Sequence, residues 1–249
     1  MAGKKSETIG QRIMVENVVL NWANNLFQID DGDRGSGKYG CTLLIPKTAD
    51  TTIGELVKAL QPIYMKGCET GPLDGKTIPD LFKRAVKGDV DPDFGWPVKD
   101  GDEYAARRRK ADERKGREDG DKRYGEYEGH WYIQASSKNR PRLYSRDAIR
   151  FDDDDPKARD LFHSGAIVNA NLYAFVYEGT SSTKPEGGVS FWINDVQWVA
   201  EGTRIGGSGN PFQPLGPTPM PEGDDHATGR DPWGDDTGSL NAADQWGSL

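Results

Sequence analysis

The chain has 249 residues, 35% of them hydrophobic and 29% charged, with a formal net charge of −8. That is enough for one sizeable core, with part of the chain left outside it. No run approaches the roughly eighteen apolar residues of a membrane span, Met1 to Ser6 lead into no signal-type segment, and Cys41 and Cys68 fit no paired motif, so we expect a soluble, unexported protein with two reduced thiols.

Ile13-Met14-Val15 and Val18 to Trp22 are rich in β-formers, and the offset at Glu16-Asn17 predicts a bulge within a first strand. Asp30 to Gly37 form a loop by composition, and Tyr39 to Ile45 form a second strand stopped by Pro46. Thr51 or Thr52 is expected to cap a helix on which Ile53, Leu56, Val57, Leu60, Ile63 and Tyr64 recur at helical spacing. Residues 67–100 are expected to be irregular, with one short helical piece around Pro79 to Val86. Residues 101–123 hold nine basic and seven acidic side chains, which predicts a projecting solvated helix or a flexible arm rather than a core element.

The best strands follow. Glu128 to Ser137 alternates, with Trp131, Ile133 and Ala135 opposite Tyr132, Gln134 and Ser136. Arg142 to Arg146 sets Leu143 against Arg142, Tyr144 and Arg146. Gly165 to Tyr177 is a long strand, and the loop at Pro185 to Gly188 makes a hairpin to Val189–Val199. Asp152 to Asp155, leading into Pro156-Lys157-Ala158-Arg159, fit a helix N-terminal cap. About five principal strands and one clear helix after the second predict an all-β protein, an OB-like barrel rather than a sandwich. The expected domains are a barrel over 1–201 with a charged insertion at about 101–123, a Gly/Pro linker over 202–221, and a tail over 222–249.

From Met220 to Leu249 seven acidic side chains stand against Arg230, a net of −6, with almost no aliphatic residues. Such a segment cannot offset its ordering entropy by burial and is expected to be disordered. A tail that only solvates needs no aromatic residues. Trp233 and Trp246, spaced among Asp235, Asp236 and Asp244, suggest a peptide that docks on partners or mimics a polyanion against its own basic groove; a solubility tail is the competing reading.

Chemical motifs are sparse. Gly35 to Gly40 match the dinucleotide-binding glycine pattern by letter but lead into a strand rather than a helix. His130, His163 and His226 have no paired-ligand spacing, so no zinc site is expected. No Ser, Cys or His constellation suggests a nucleophile, and we expect neither an enzyme nor a cofactor. What remains is a basic and aromatic strand face with Tyr132, Lys138, Arg140, Arg142, Tyr144 and Arg146. Cations that follow phosphates and rings that stack on bases hold single-stranded nucleic acid in this way. The alternative is a half-exposed sheet with ordinary cross-strand aromatic pairs.

The chain resembles the OB-fold single-stranded DNA-binding proteins of tailed bacteriophages. The resemblance runs over about residues 10–205: Tyr39 and Leu43-Leu44-Ile45-Pro46-Lys47, then Tyr127 to Ile133 and Ala135 to Pro141, then Ser164 to Ala170, then Gly187-Gly188-Val189 and Ile193 to Gln197. It implies ssDNA binding in phage replication and recombination, in the cytoplasm of the infected host, with an acidic tail that touches replication proteins such as a polymerase or helicase. By residue type, Lys38, Lys138, Arg140, Arg142 and Arg146 are expected to contact phosphates, and Tyr39, Tyr132 and Tyr144 to offer stacking faces. A metal-dependent nuclease or recombination enzyme, and a phage interaction module that binds no DNA, are the competing functions.

Overall fold

The computed structural model describes residues 8–31, 35–73, 79–117, 124–179 and 184–206. All of them fall in the first of two units into which the chain divides, Met1–Gly207. The expected acidic tail, and the linker from residue 207 onward, lie outside the described residues.

Seven strands, β1 (Gly10–Asn21), β2 (Tyr39–Pro46), β3 (Val98–Asp100), β4 (His130–Ser137), β5 (Arg142–Tyr144), β6 (Ile167–Tyr177) and β7 (Gly188–Ala200), form one sheet. β1 pairs antiparallel with β2 and β6, β2 with β4, and β6 with β7. The parallel contact Ala135↔Phe191 between β4 and β7 closes the circuit. The result is the five-stranded OB-like barrel the sequence predicts, with its edges removed by closure. Two short strands supplement it: β5 prolongs β4 along β7, and β3 pairs with β4 next to Trp131.

Period-two alternation decides which residues line the inside. Ile13, Val15, Val18 and Leu20 of β1, Leu43 and Ile45 of β2, Ile133 and Ala135 of β4, and Val168, Ala170, Leu172 and Ala174 of β6 all enter one core. The expected bulge in β1 is present, as a register shift between Val15 and Val18. Asn17 sits at the bulge with φ 54°, and its amide donates to Asn169 Oδ1 at 2.9 Å.

Among the described residues four α-helices decorate the barrel: α1 (Asp50–Thr70), α2 (Pro79–Val86), α3 (Gly101–Glu113) and α4 (Pro156–Leu161). α1 buries Leu56, Leu60, Ile63 and Tyr64, as its spacing predicts. It starts at Asp50 after Ala49, without a side-chain cap, so neither Thr51 nor Thr52 is the capping residue. It also continues to Thr70, into the stretch expected to be irregular, because its apolar face stays on the barrel. α4 is capped as expected, Asp155 accepting from the Lys157 amide at 2.9 Å.

The larger correction concerns residues 101–123, expected to project into solvent. Their described part is α3, and it lies on the barrel wall. Ala105 is only 1% exposed and packs with Leu44, Tyr127 and Tyr132 in a second apolar cluster, with Tyr104 and Tyr124 against it. Asp100 caps the helix by accepting from the amides of Asp102 and Glu103, while Lys47 bridges Asp100 and Asp102, each at 2.7 Å. Arg109 pairs with Glu128. Three buried positions on one side, fixed by a cap and ion pairs at its ends, are enough to seat an otherwise charged helix.

Candidate nucleic-acid interface

On the outer side of β2 and β4, cross-strand pairs set Leu44 against Tyr132, Thr42 against Gln134 and Gly40 against Ser136. α3 covers the first of these pairs; of the other two, Gln134 is exposed, Gly40 and Ser136 are half-buried, and Thr42 is buried. These two pairs form the floor of a groove of about 630 Å³. Its walls include Trp22, Lys38, Tyr39, Trp96, Lys99, Tyr104, Tyr127, Tyr177 and Lys184. Gly40 keeps the floor low: a Cβ there would stand 2.8 Å from the Ala135 carbonyl oxygen.

Trp22 is the most pronounced residue of the rim. It directly follows β1, is 58% exposed and has φ 57°, in the left-handed region that bulky residues avoid. Its indole nitrogen donates to the Tyr127 hydroxyl at 3.1 Å, and its amide to Asn21 Oδ1 at 2.8 Å. The Asn21 side-chain nitrogen beside it is buried without a partner. Strain and an unmet donor at one rim position are costs that persist at functional sites.

Among the described residues Lys38, Lys99 and Lys184 form no salt bridge, although Asp30 also lines the groove and Lys184 donates to the Pro92 carbonyl at 2.5 Å. Lys99 donates to Gln134 Oε1 at 2.8 Å and lies over the Tyr132 ring at 5.7 Å. Partial desolvation, and then the positive charges of Lys184 and Arg107, hold its pKa below the ordinary lysine value. An anion bound beside Lys99 would offset that shift.

The expected contact residues divide. Lys38 and Tyr39 line the groove. Tyr132 does not offer an open face: it is 4% exposed, under Tyr104 and Tyr127 with ring centroids at 5.2 Å from each, and burial pushes its phenol up to about 12. Its outward direction in β4 is as the alternation predicts, but α3 covers it. Lys138 and Arg146 are exposed, Tyr144 is half-buried, and none of the three lines the groove. Arg140 turns toward Asp154 at 3.7 Å and the Phe27 ring at 5.9 Å, and Arg142 is held by Asp195 at 2.6 Å. Trp22, Lys99, Tyr104 and Lys184 escaped the sequence reading. Lys99 and Tyr104 sit in segments assigned to irregular chain and solvated helix, and Trp22 was counted as a strand residue.

A second aromatic surface lies on the outer face of β6 and β7. Tyr173 and Trp192 stack with centroids 5.4 Å apart, and Phe175 stands 4.3 Å from Trp192. These rings already face one another across the strands, as cross-strand pairs do. Among the described residues no three His, Cys, Asp or Glu side chains gather where they could hold a metal ion, and no helix is long and apolar enough to cross a membrane.

A closed OB barrel with a ring- and cation-lined groove on its β2–β4 face defines an OB-fold binding protein. Residues 11–224 match the family described as Enterobacter phage Enc34, ssDNA-binding protein, and the chain belongs to that family. Among solved structures it is similar to the single-stranded DNA-binding protein from bacteriophage Enc34, 18% identical with a TM-score of 0.52 over 83% of this chain and 93% of that one. The same phage protein in complex with ssDNA is 19% identical, with a TM-score of 0.53 over 82% of this chain and 97% of that one. At these identities the likeness shows the fold. No curated protein matches the chain.

Proposed function

We propose that the protein binds single-stranded DNA with little regard to sequence, coating it during phage replication and recombination in the infected bacterium. The strand runs over Gly40, Thr42, Gln134 and Ser136, where Trp22, Tyr39 and Tyr104 offer rings to bases and Lys38, Lys99 and Lys184 take phosphates. Rings accept any base, because every base has a π-face. The observation that carries this reading is Trp22: exposed, strained, and held over the groove by Tyr127. Family membership and an Enc34 relative solved with ssDNA support it.

The acidic tail belongs to the same proposal. Its net −6 makes it a polyanion tethered to a cationic groove by a Gly/Pro linker, at an effective concentration on the order of millimolar. DNA displaces it, and Trp233 and Trp246 are then free to dock on replication proteins. Gel shifts of ssDNA and duplex at two salt concentrations, with labelled DNA followed in Mg²⁺, test the reading. Tight ssDNA binding with intact DNA supports it; cleavage or absence of any shift contradicts it.

A further inference from the structure

The binding groove adjoins a second cavity, built where the added helices and the 88–98 loop meet Trp131 and Tyr132 of β4. This cavity, of about 530 Å³, lies between α1, α2, the 88–98 loop and α3, and it shares Trp96, Lys99, Tyr104 and Lys184 with the first. We propose that these four residues form a saddle over which the DNA strand leaves the barrel, and that the second lobe holds at least one further base. The proposal rests on the ssDNA reading above and extends it to a path.

The second lobe is somewhat more apolar than the first. It sets the apolar Ile53, Val57, Phe94 and Trp131 beside charged residues of β3 and α3, with Val86 and Val90 at its rim 46% and 41% exposed. Exposed aliphatic residues beside a cavity mark a surface that expects a covering group. The saddle between the lobes is cationic: Arg107 on α3, lining only the second lobe, adds its charge to those of Lys99 and Lys184, and both depress the lysine pKa of Lys99 after desolvation. The lobe's carboxylates do not cancel this charge. Asp100 is taken up by Lys47 and by the amides at the start of α3, which leaves Glu103 at the wall. A phosphate on the saddle therefore meets more positive than negative charge, and a base beyond it meets aliphatic and aromatic walls. β3, α2 and α3, which build this lobe, are additions to the five-stranded barrel, and the extended path gives them a role.

The test uses the full chain and a ladder of oligo-dT from about four to sixteen nucleotides, the range of OB site sizes. Wild type, Arg107→Ala and Val86→Glu are titrated by fluorescence anisotropy. In wild type, affinity is expected to rise by about 5- to 150-fold at the length that reaches the second lobe, as one stacked base gives. Both variants are expected to lose that step and keep wild-type affinity for shorter oligonucleotides, which also shows that they are folded. For the long oligonucleotide, Arg107→Ala is expected to lower the salt slope by about 0.7. Normal binding of short oligonucleotides with no later step, or a step that both variants retain, overturns the extended path, leaves the ssDNA reading intact and frees the lobe for a peptide partner. Failure of wild type to bind at any length overturns the underlying reading as well.

Discussion

Trp22 and Tyr132 show how an exposed and a buried aromatic residue come to different tasks. Trp22 is exposed, so its replacement by alanine removes no core packing and relieves a left-handed backbone only in part. Trp22→Ala is expected to cost about 1–3 kcal/mol in ssDNA affinity while leaving the melting temperature close to wild type, as measured by fluorescence titration and thermal unfolding. Tyr132 is buried beneath Tyr104 and Tyr127, and Tyr132→Ala is expected to destabilise by about 3–5 kcal/mol, as large core truncations do. The phenol also makes a pH prediction. Its folded pKa is raised by burial to about 12 from an ordinary value of 10.0. The stability linked to it is thus fully present below pH 10 and is lost as pH rises from about 10 toward 12. Urea unfolding at pH 9 and pH 11 is expected to show a loss that Tyr132→Phe reduces; an equal loss in the variant contradicts the assignment.

At the scale of elements, α3 shapes the site more than any strand. By covering Leu44 and Tyr132 it confines the groove to the Thr42–Gln134 and Gly40–Ser136 pairs, and its Tyr104 becomes a wall. Ala105→Arg would force a long charged side chain into a position 1% exposed. It is expected to unseat the helix, lower stability by about 1–3 kcal/mol or more and make Tyr132 titrate nearer its ordinary value. A spectrophotometric alkaline titration reads this directly. The strands were legible in the sequence because alternation with period two survives in Glu128–Ser137 and Gly165–Tyr177 whatever surrounds them. α3 was not legible as a packed helix, because its buried side shows only Gly101, Ala105 and Asp112 among charges. β3 is three residues long and gains its meaning from pairing with β4. Arg142 reads as free for phosphate because the carboxylate that holds it, Asp195, is distant in sequence, and Arg140 because the sequence does not show its turn toward Phe27 and Asp154.

For the whole molecule, charge is divided between a cationic groove and an acidic segment. If Lys38, Lys99 and Lys184 are the phosphate contacts, log affinity for a short oligonucleotide is expected to fall with log salt at a slope near −2. Lys99→Ala is expected to reduce it by about 0.7 and Arg142→Ala to leave it nearly unchanged, which separates the groove from the β5 face. Removing residues 220–249 takes away a net −6. Such a chain is expected to bind DNA more tightly at low salt, with the gain fading as screening increases. Equal affinity at low salt would reduce the tail to a tether.

DNA is proposed to lie on the β2–β4 face. Photocrosslinking the full chain to ssDNA and mapping the modified peptides by mass spectrometry tests this placement most directly. The groove predicts adducts at Trp22, Tyr39 and Tyr104, and none at the stacked Tyr173 and Trp192 of β6 and β7. Adducts confined to Tyr173, Phe175 and Trp192, or to Tyr144, would place the DNA on another face of the barrel and contradict the account.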